Sequence, residues 1–83
     1  MINEQLTVIR RPEALEVFGC SKSTLQNRIN DGLIPPPISL GGRAVGFVLQ
    51  EMQTVLKAMV AGKSHQEIKK LVNELIEQRK QLV

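Results

Sequence analysis

Hydrophobic residues recur at helical spacing in two short segments of the first half of the chain. Pro12 suits the first turn of a helix because it lacks an N–H that would go unpaired there, and Gly19 can end that helix in a left-handed conformation. Ser21 is a natural cap for the next helix, in which Leu25 and Ile29 lie one turn apart. The expected bounds of these two helices are 12–18 and 22–31.

The second half of the chain predicts two further helices. Apolar side chains at helical spacing favour a helix over 49–61, which Gly62 ends. Ser64 and Glu67 have the spacing of a capping box, so a fourth helix is expected to begin there and to run to the C-terminus. The apolar positions of this last helix are Ile68, Leu71, Val72, Leu75, Ile76 and Leu82.

The segment between these pairs of helices has the pattern of a β-hairpin. Residues 35–37 are all proline and cannot continue a helix, so the chain becomes extended. Residues 38–40 and 44–48 then predict two short strands joined by a glycine pair and Arg43. Residues 8–10 are expected to form a short extended entry. The expected fold class is mainly α: a winged helix-turn-helix with a small two-stranded wing and an additional C-terminal helix.

Composition limits the function classes that remain. The 83 residues allow at most one domain, 42% of them are hydrophobic, and the net charge of +3 favours anionic partners. Cys20 is the one cysteine, and no apolar run has the length of a signal or membrane helix, so we expect a soluble protein of a reducing compartment. His65 is the one histidine and has no ligand or catalytic cluster near it. We therefore expect no enzyme, no cofactor and no metal site.

Candidate chemistry lies on helix 22–31. Two helices joined by a short glycine-containing turn, the second polar on its outer face, are typical of a helix-turn-helix. Amides, hydroxyls and basic groups on such a helix suit the major groove of DNA. For this helix alone, a solvated amphipathic helix is the stronger interpretation. The hairpin that follows, with an arginine at its tip, reverses that preference and indicates a reader of duplex DNA.

Four blocks of the chain stand in a specific order and spacing: residues 10–13 (RRPE), 21–25 (SKSTL), 31–35 (DGLIP) and 40–47 (LGGRAVGF). With these blocks, about the first two thirds of the chain resembles the AlpA-type regulators and phage excisionases, relatives of the MerR-like winged-helix group. The resemblance implies a small DNA-binding protein of prophages or integrated elements, located in the bacterial cytoplasm at the nucleoid. Members activate transcription of recombination genes or bend DNA as directionality factors during excision.

The resemblance also implies which residues contact DNA. Those that match the recognition helix are Ser23, Thr24, Gln26, Asn27 and Arg28, and those that match the wing are Gly41, Gly42 and Arg43. Two residues depart from the family pattern. Phe47 stands where the family usually has tryptophan. Gln26 stands where an aromatic residue is common, so base preference does not carry over. Because the bulk charge is small, binding requires further cations on the same face, and these are Arg10, Arg11 and Lys22.

A monomer with these contacts neutralises only about 4–5 phosphates and would bind weakly at physiological salt. We therefore expect the protein to bind DNA as a homodimer or as a cooperative array. Residues 63–83, which follow a winged domain over 1–62, are a candidate for self-association, although Gln78 interrupts their heptad spacing. Packing of this helix on its own domain is the slightly favoured alternative. In either case we expect a solvated face, and not a second DNA contact, for the cations Lys69, Lys70, Arg79 and Lys80.

Two classes of function stay open at this point. A DNA-binding regulator would act with RNA polymerase as an activator or with a recombinase as an excision factor, and the residues do not separate these roles. A protein-interaction module, such as an antirepressor, would keep the same fold and hold a partner protein with its C-terminal helix. Neither class involves a membrane.

Overall fold

The computed structural model describes residues 6–82, which form four helices and a three-stranded sheet. In chain order the elements are β1 (Val8–Ile9), α1 (Arg11–Phe18), α2 (Lys22–Asn30), β2 (Ile38–Gly41), β3 (Ala44–Val48), α3 (Leu49–Val60) and α4 (His65–Arg79). The predicted fold class, a winged helix-turn-helix with a C-terminal helix, is confirmed. Within residues 6–82 no helix combines the length and hydrophobicity needed to cross a bilayer.

Local signals set the ends of the helices. Gly19 ends α1 with φ of 60°, in the left-handed region that glycine occupies without strain. The Ser21 hydroxyl caps α2 by accepting a hydrogen bond from the backbone N–H of Thr24 at 3.2 Å. Ser64 and Glu67 form the predicted capping box at the start of α4. Each of these ends follows from residues that are close together in the sequence.

The sheet has one strand more than the two-stranded wing that the sequence predicts. Its strand order is β1-β3-β2, and both pairs are antiparallel, with Val8 opposite Val48 and Ile9 opposite Phe47. The backbone of Thr7 extends this connection, because its carbonyl accepts a 2.8 Å hydrogen bond from the N–H of Leu49 at the start of α3. The extended entry expected at residues 8–10 is therefore an edge strand, which joins the wing to the helical core.

Gly46 allows the three strands to come together. A Cβ atom at this position would lie 2.5 Å from Cγ1 of Val8 and 3.0 Å from Cδ1 of Leu40, on the strands at either side. Contacts that short require the neighbouring side chains to shift. Glycine is used here for close approach of side chains across the sheet, not for its conformational freedom.

Two clusters of buried side chains hold the fold together. The residues of the first are Ala14, Leu25, Ile34, Phe47 and Met52, and those of the second are Leu33, Val55, Ile68 and Val72. Phe18 and Met59 are partly buried and pack against both clusters. The second cluster joins α3 to α4, so α4 packs on its own domain. This is the alternative that the sequence slightly favoured.

Two expectations for the C-terminal segment are wrong. First, α4 ends at Arg79 and does not continue to the C-terminus, so Leu82 lies beyond the helix and is 53% exposed. Second, Arg79 does not lie on a solvated face. Its Nε donates to Oε2 of Glu51 at 2.7 Å, and its Nη2 donates to Oε1 of Glu51 at 2.6 Å and to the carbonyl of Pro36 at 2.8 Å. These hydrogen bonds, above all those to Glu51, raise the pKa of Arg79.

Candidate nucleic-acid interface

The polar side of α2 faces solvent, as a recognition helix requires. Leu25 is fully buried and Ile29 is partly buried, and both pack into the first core cluster. Because an α-helix repeats every 3.6 residues, the remaining positions turn away from the core. The exposed polar side chains of this side are Lys22, Ser23, Gln26, Asn27 and Arg28.

The predicted contact residues of α2 differ in whether their side chains already have a hydrogen-bond partner. Thr24 is partly buried, and its hydroxyl accepts a 3.0 Å hydrogen bond from Ser21, so its side chain serves the helix cap. Gln26 donates to Oδ1 of Asn30 at 3.0 Å across one helical turn. Within residues 6–82, the side chains of Asn27 and Arg28 have no such partner. Asn27 and Arg28 are thus available to a ligand, as are Lys22 and Ser23, which are exposed and also have no partner within residues 6–82.

The wing ends in an exposed turn that presents an arginine. Gly41 and Gly42 have φ values of 105° and 55°, which residues with a side chain rarely adopt, and they reverse the chain between β2 and β3. Arg43 follows them and is exposed. In the part of the chain that the structure describes, it forms no ion pair. The turn therefore leaves a cation available at the far end of the hairpin.

The two arginines at the start of α1 have different surroundings. Arg10 is exposed, and its backbone N–H donates to the Glu13 carboxylate at 3.1 Å. Arg11 is partly buried, and its guanidinium carbon lies 5.7 Å from the centre of the Phe47 ring, close enough for a cation–π contact. Arg11 therefore packs on the fold itself, a contact that the sequence could not predict because the two residues are far apart in the chain.

A groove of about 500 Å³ runs between α2 and the beginning of α4. From α2 it is lined by Thr24, Asn27, Arg28 and Asp31, and from the turn before α4 and its first residues by Lys63, His65 and Ile68. Lys63 and His65 are both exposed. No local pattern in the sequence predicts that they lie next to the polar side of α2, since the angle between α3 and α4 decides it.

A second groove, of about 350 Å³, lies near the C-terminal end of α4. Its lining is largely apolar and includes Leu6, Val48, Leu75 and Leu82, with the Arg79 side chain beside them. Leu6 and Leu82 are each about half exposed. The two grooves thus differ in chemistry: the one beside α2 is polar and carries cations, and the other is apolar.

Comparison with known proteins relates the chain to phage regulators. A profile of the family described as prophage CP4-57 regulatory protein (AlpA) matches residues 7–57, from β1 into α3. The uncharacterized protein ORF88 of Enterobacteria phage P4 is 34% identical over 55 residues, which are 66% of this chain and 62% of that protein. The alignment thus spans less than two thirds of the phage protein. No solved structure matches the chain.

Proposed function

Because the chain belongs to the family of the prophage CP4-57 regulatory protein (AlpA), we propose that it is a sequence-specific regulator that binds duplex DNA without catalysis. The observation that carries this proposal is the exposed polar side of α2, on which Asn27 and Arg28 have no partner within residues 6–82. The exposed arginine at the tip of the wing supports it. Such a regulator works in the bacterial cytoplasm, at the nucleoid.

In this proposal α2 enters the major groove and the wing lies along the DNA backbone. An asparagine side chain can donate to and accept from the edge of an adenine, so Asn27 is the residue we expect to read a base. Arg28 and Lys22 contact phosphates beside it, and Arg43 contacts phosphate or the adjacent minor groove. Ser23 and Gln26 lie on the same side of α2 and complete the contact surface.

A single copy offers few cations to DNA, so we propose that it binds as a homodimer or a cooperative array. Cooperative contacts raise the apparent affinity of each weak site without any new contact to DNA. The downstream role is transcription activation through RNA polymerase or excision through a recombinase. DNA bending on adjacent sites would favour the excision role.

Two substitutions test the docking of α2 and the wing. The assay is a titration of duplex DNA that flanks the protein's own gene, repeated across salt concentrations. We expect Asn27→Ala to cost about 1–3 kcal/mol on the preferred site and to relax base preference. Arg43→Ala should weaken binding to all sequences and reduce the salt slope by about one.

Lys80→Ala is a suitable control for these variants, because it removes an exposed cation at the far end of α4. We expect it to bind DNA like the wild-type protein. If both Asn27→Ala and Arg43→Ala also keep wild-type affinity and base preference, the docking is wrong. If the wild-type protein shows no salt-dependent binding to any duplex, the proposed function itself is wrong.

The apolar groove near the C-terminal end of α4 favours a second candidate function, the capture of a partner protein. Leu6 and Leu82 leave apolar surface exposed there, which protein interfaces commonly use. Under this candidate, DNA binding is weak and insensitive to salt, and Leu82→Asp abolishes capture of the partner. Retained capture by that variant would exclude the groove as the contact.

A further inference from the structure

We propose that the start of α4 forms a second phosphate-binding surface beside α2, with Lys63 and Lys69 as its contacts. The ligand is the backbone of the same duplex that α2 reads, so this inference rests on the proposed function and deepens it. The profile match ends at residue 57, so both lysines lie outside the segment shared with the family.

Geometry places both lysines next to the DNA-facing part of α2. Lys63 lines the same groove as Asn27 and Arg28. Lys69 lies one turn further along α4, and its Cγ is 4.0 Å from where a Cβ would stand on Gly32, in the turn that follows α2. A duplex held by Asn27 and Arg28 thus has these two ammonium groups along one flank.

The lysines beside the groove form no ion pair within residues 6–82, although Lys63 acts on the nearby Glu67 carboxylate and helps to lower its pKa. Within residues 6–82 the ion pairs are Arg79–Glu51 and Lys80–Glu77, so neither Lys63 nor Lys69 is paired.

Two carboxylates lie close to these lysines. Asp31 lines the groove, and the Glu67 carboxylate accepts a 2.9 Å hydrogen bond from the backbone N–H of Ser64. Arg28 and Lys63 line the groove together with Asp31, and Lys69 lies beside Gly32, so these three cations outnumber the carboxylates of Asp31 and Glu67. A polyanion that continues past α2 fits this distribution of charge.

The exposure of the two lysine side chains also suits contacts with phosphate. Lys63 and Lys69 are both exposed, so their ammonium groups can move to meet a phosphate without opening the fold. Each contact of this kind releases condensed counterions from DNA, which makes it visible as salt dependence. Such contacts carry no sequence information, so they add affinity and leave base preference to α2.

The test compares two double variants that change the net charge equally. In Lys63→Gln/Lys69→Gln the proposed contacts lose their charge and keep most of their aliphatic stems. In Lys70→Gln/Lys80→Gln the same number of charges is removed elsewhere. Lys70 does not line the groove beside α2; it lines a neighbouring groove with Leu71 and Glu74, which Lys63 also borders, and Lys80 pairs with Glu77. Circular dichroism and thermal unfolding confirm that both variants fold.

The readout is the slope of log affinity against log salt on the preferred duplex. We expect this slope to become shallower by about 1.8 in Lys63→Gln/Lys69→Gln, at about 0.9 for each lost phosphate contact, and to be unchanged in the control. Base preference should be the same in both variants.

Three other outcomes overturn the inference in different ways. Equal slopes and affinities in the two double variants, with specific binding by the wild-type protein, overturn this surface and leave the proposed function standing. A change in base preference in Lys63→Gln/Lys69→Gln also overturns it, because backbone contacts do not read sequence. Absence of salt-dependent duplex binding by the wild-type protein overturns the proposed function together with this inference.

Discussion

The two ends of α4 both carry cations, but the surroundings of these cations differ. At the C-terminal end, Arg79 is held by both oxygens of Glu51 and by the carbonyl of Pro36. At the N-terminal end, Lys63 and Lys69 are exposed and form no ion pair within residues 6–82. The comparison shows that the groups that contact a cation in the fold decide whether it is structural or available to a ligand. Its position in the helical pattern does not decide this.

The chemistry of the side chains fits the two roles. A guanidinium is planar and presents several N–H groups in fixed directions, so Arg79 can bind both oxygens of a carboxylate and a backbone carbonyl together. Its contacts join the end of α4 to α3 and to the proline segment between α2 and β2. A lysine ammonium on a flexible stem makes looser contacts and stays hydrated. Arg79 thus holds the C-terminal end of α4, Ile68 and Val72 join the helix to α3 through the second core cluster, and the lysines near its start stay exposed.

The largest expected effect on stability comes from removing the ion pair at the C-terminal end of α4. Arg79→Ala leaves Glu51, which is 9% exposed, without its partner, and a charge buried without a partner is costly. We expect a loss of about 2–3 kcal/mol in the free energy of unfolding, less than for a fully buried pair because the Arg79 side chain is 22% exposed. Urea unfolding at neutral pH measures it.

Lys80→Ala is the matched control, since it removes the neighbouring cation in the chain. The Lys80 and Glu77 side chains are 72% and 68% exposed, and pairs of that kind contribute about 0–1 kcal/mol. An equal effect of the two substitutions would show that Arg79 is no more structural than Lys80. Glu51→Leu/Arg79→Met should recover most of the stability, because it removes both charges together.

A smaller effect is expected from the cap at the N-terminal end of α4. Ser64→Ala removes the hydroxyl that accepts from the backbone N–H of Glu67 at 3.2 Å. Loss of such a cap costs about 1 kcal/mol, so this variant should be clearly more stable than Arg79→Ala. Ser64→Asp keeps an acceptor at the cap and should unfold like the wild-type protein. If Ser64→Ala is the less stable of the two alanine variants, then the N-terminal end, and not Arg79, fixes α4.

The smallest effect is a dependence on pH at the same cap. The hydrogen bonds from Ser64 lower the pKa of Glu67 below its usual value. A carboxyl group whose pKa is lower in the folded state stabilises the fold above its unfolded pKa, and this contribution is lost as the pH falls through the folded pKa.

Glu67→Gln should therefore be less stable than the wild-type protein near pH 7, and the difference should shrink toward pH 3 as the carboxylate takes up its proton. Thermal unfolding of both proteins at the two pH values measures this convergence. A difference in stability that stays constant between the two values would mean that the charge of Glu67 does not contribute.

Much of the fold could be predicted from the sequence because its signals are local. Ser21, Gly19 and the pair Ser64 and Glu67 set helix ends within a few residues of themselves, and the glycine pair before Arg43 marks the hairpin turn. The third strand could not be predicted in the same way. Its two residues become a strand only by pairing with β3, which lies far along the chain.

The candidate site was predictable to a smaller extent. The exposure of Asn27 follows from the helical repeat once Leu25 is placed in the core, whereas Arg28, three residues after Leu25, lies nearer the core side of α2. The hydrogen bond from Ser21 to Thr24 joins residues three apart, so that spacing is a signal that Thr24 serves the cap. The contact of Arg79 with Glu51 depends on how α3 and α4 pack, and no short-range pattern encodes it.

The strand order β1-β3-β2 also has a consequence for the order in which the chain folds. β2 and β3 are joined by a tight turn, so they can pair early at a small cost in entropy. β1 must wait for β3, with α1 and α2 lying between them in the chain. During synthesis Val8 and Ile9 leave the ribosome before the other described elements and lack their strand partner until β3 follows. We therefore expect the docking of Thr7 on the first turn of α3 to come after β2 and β3 have paired.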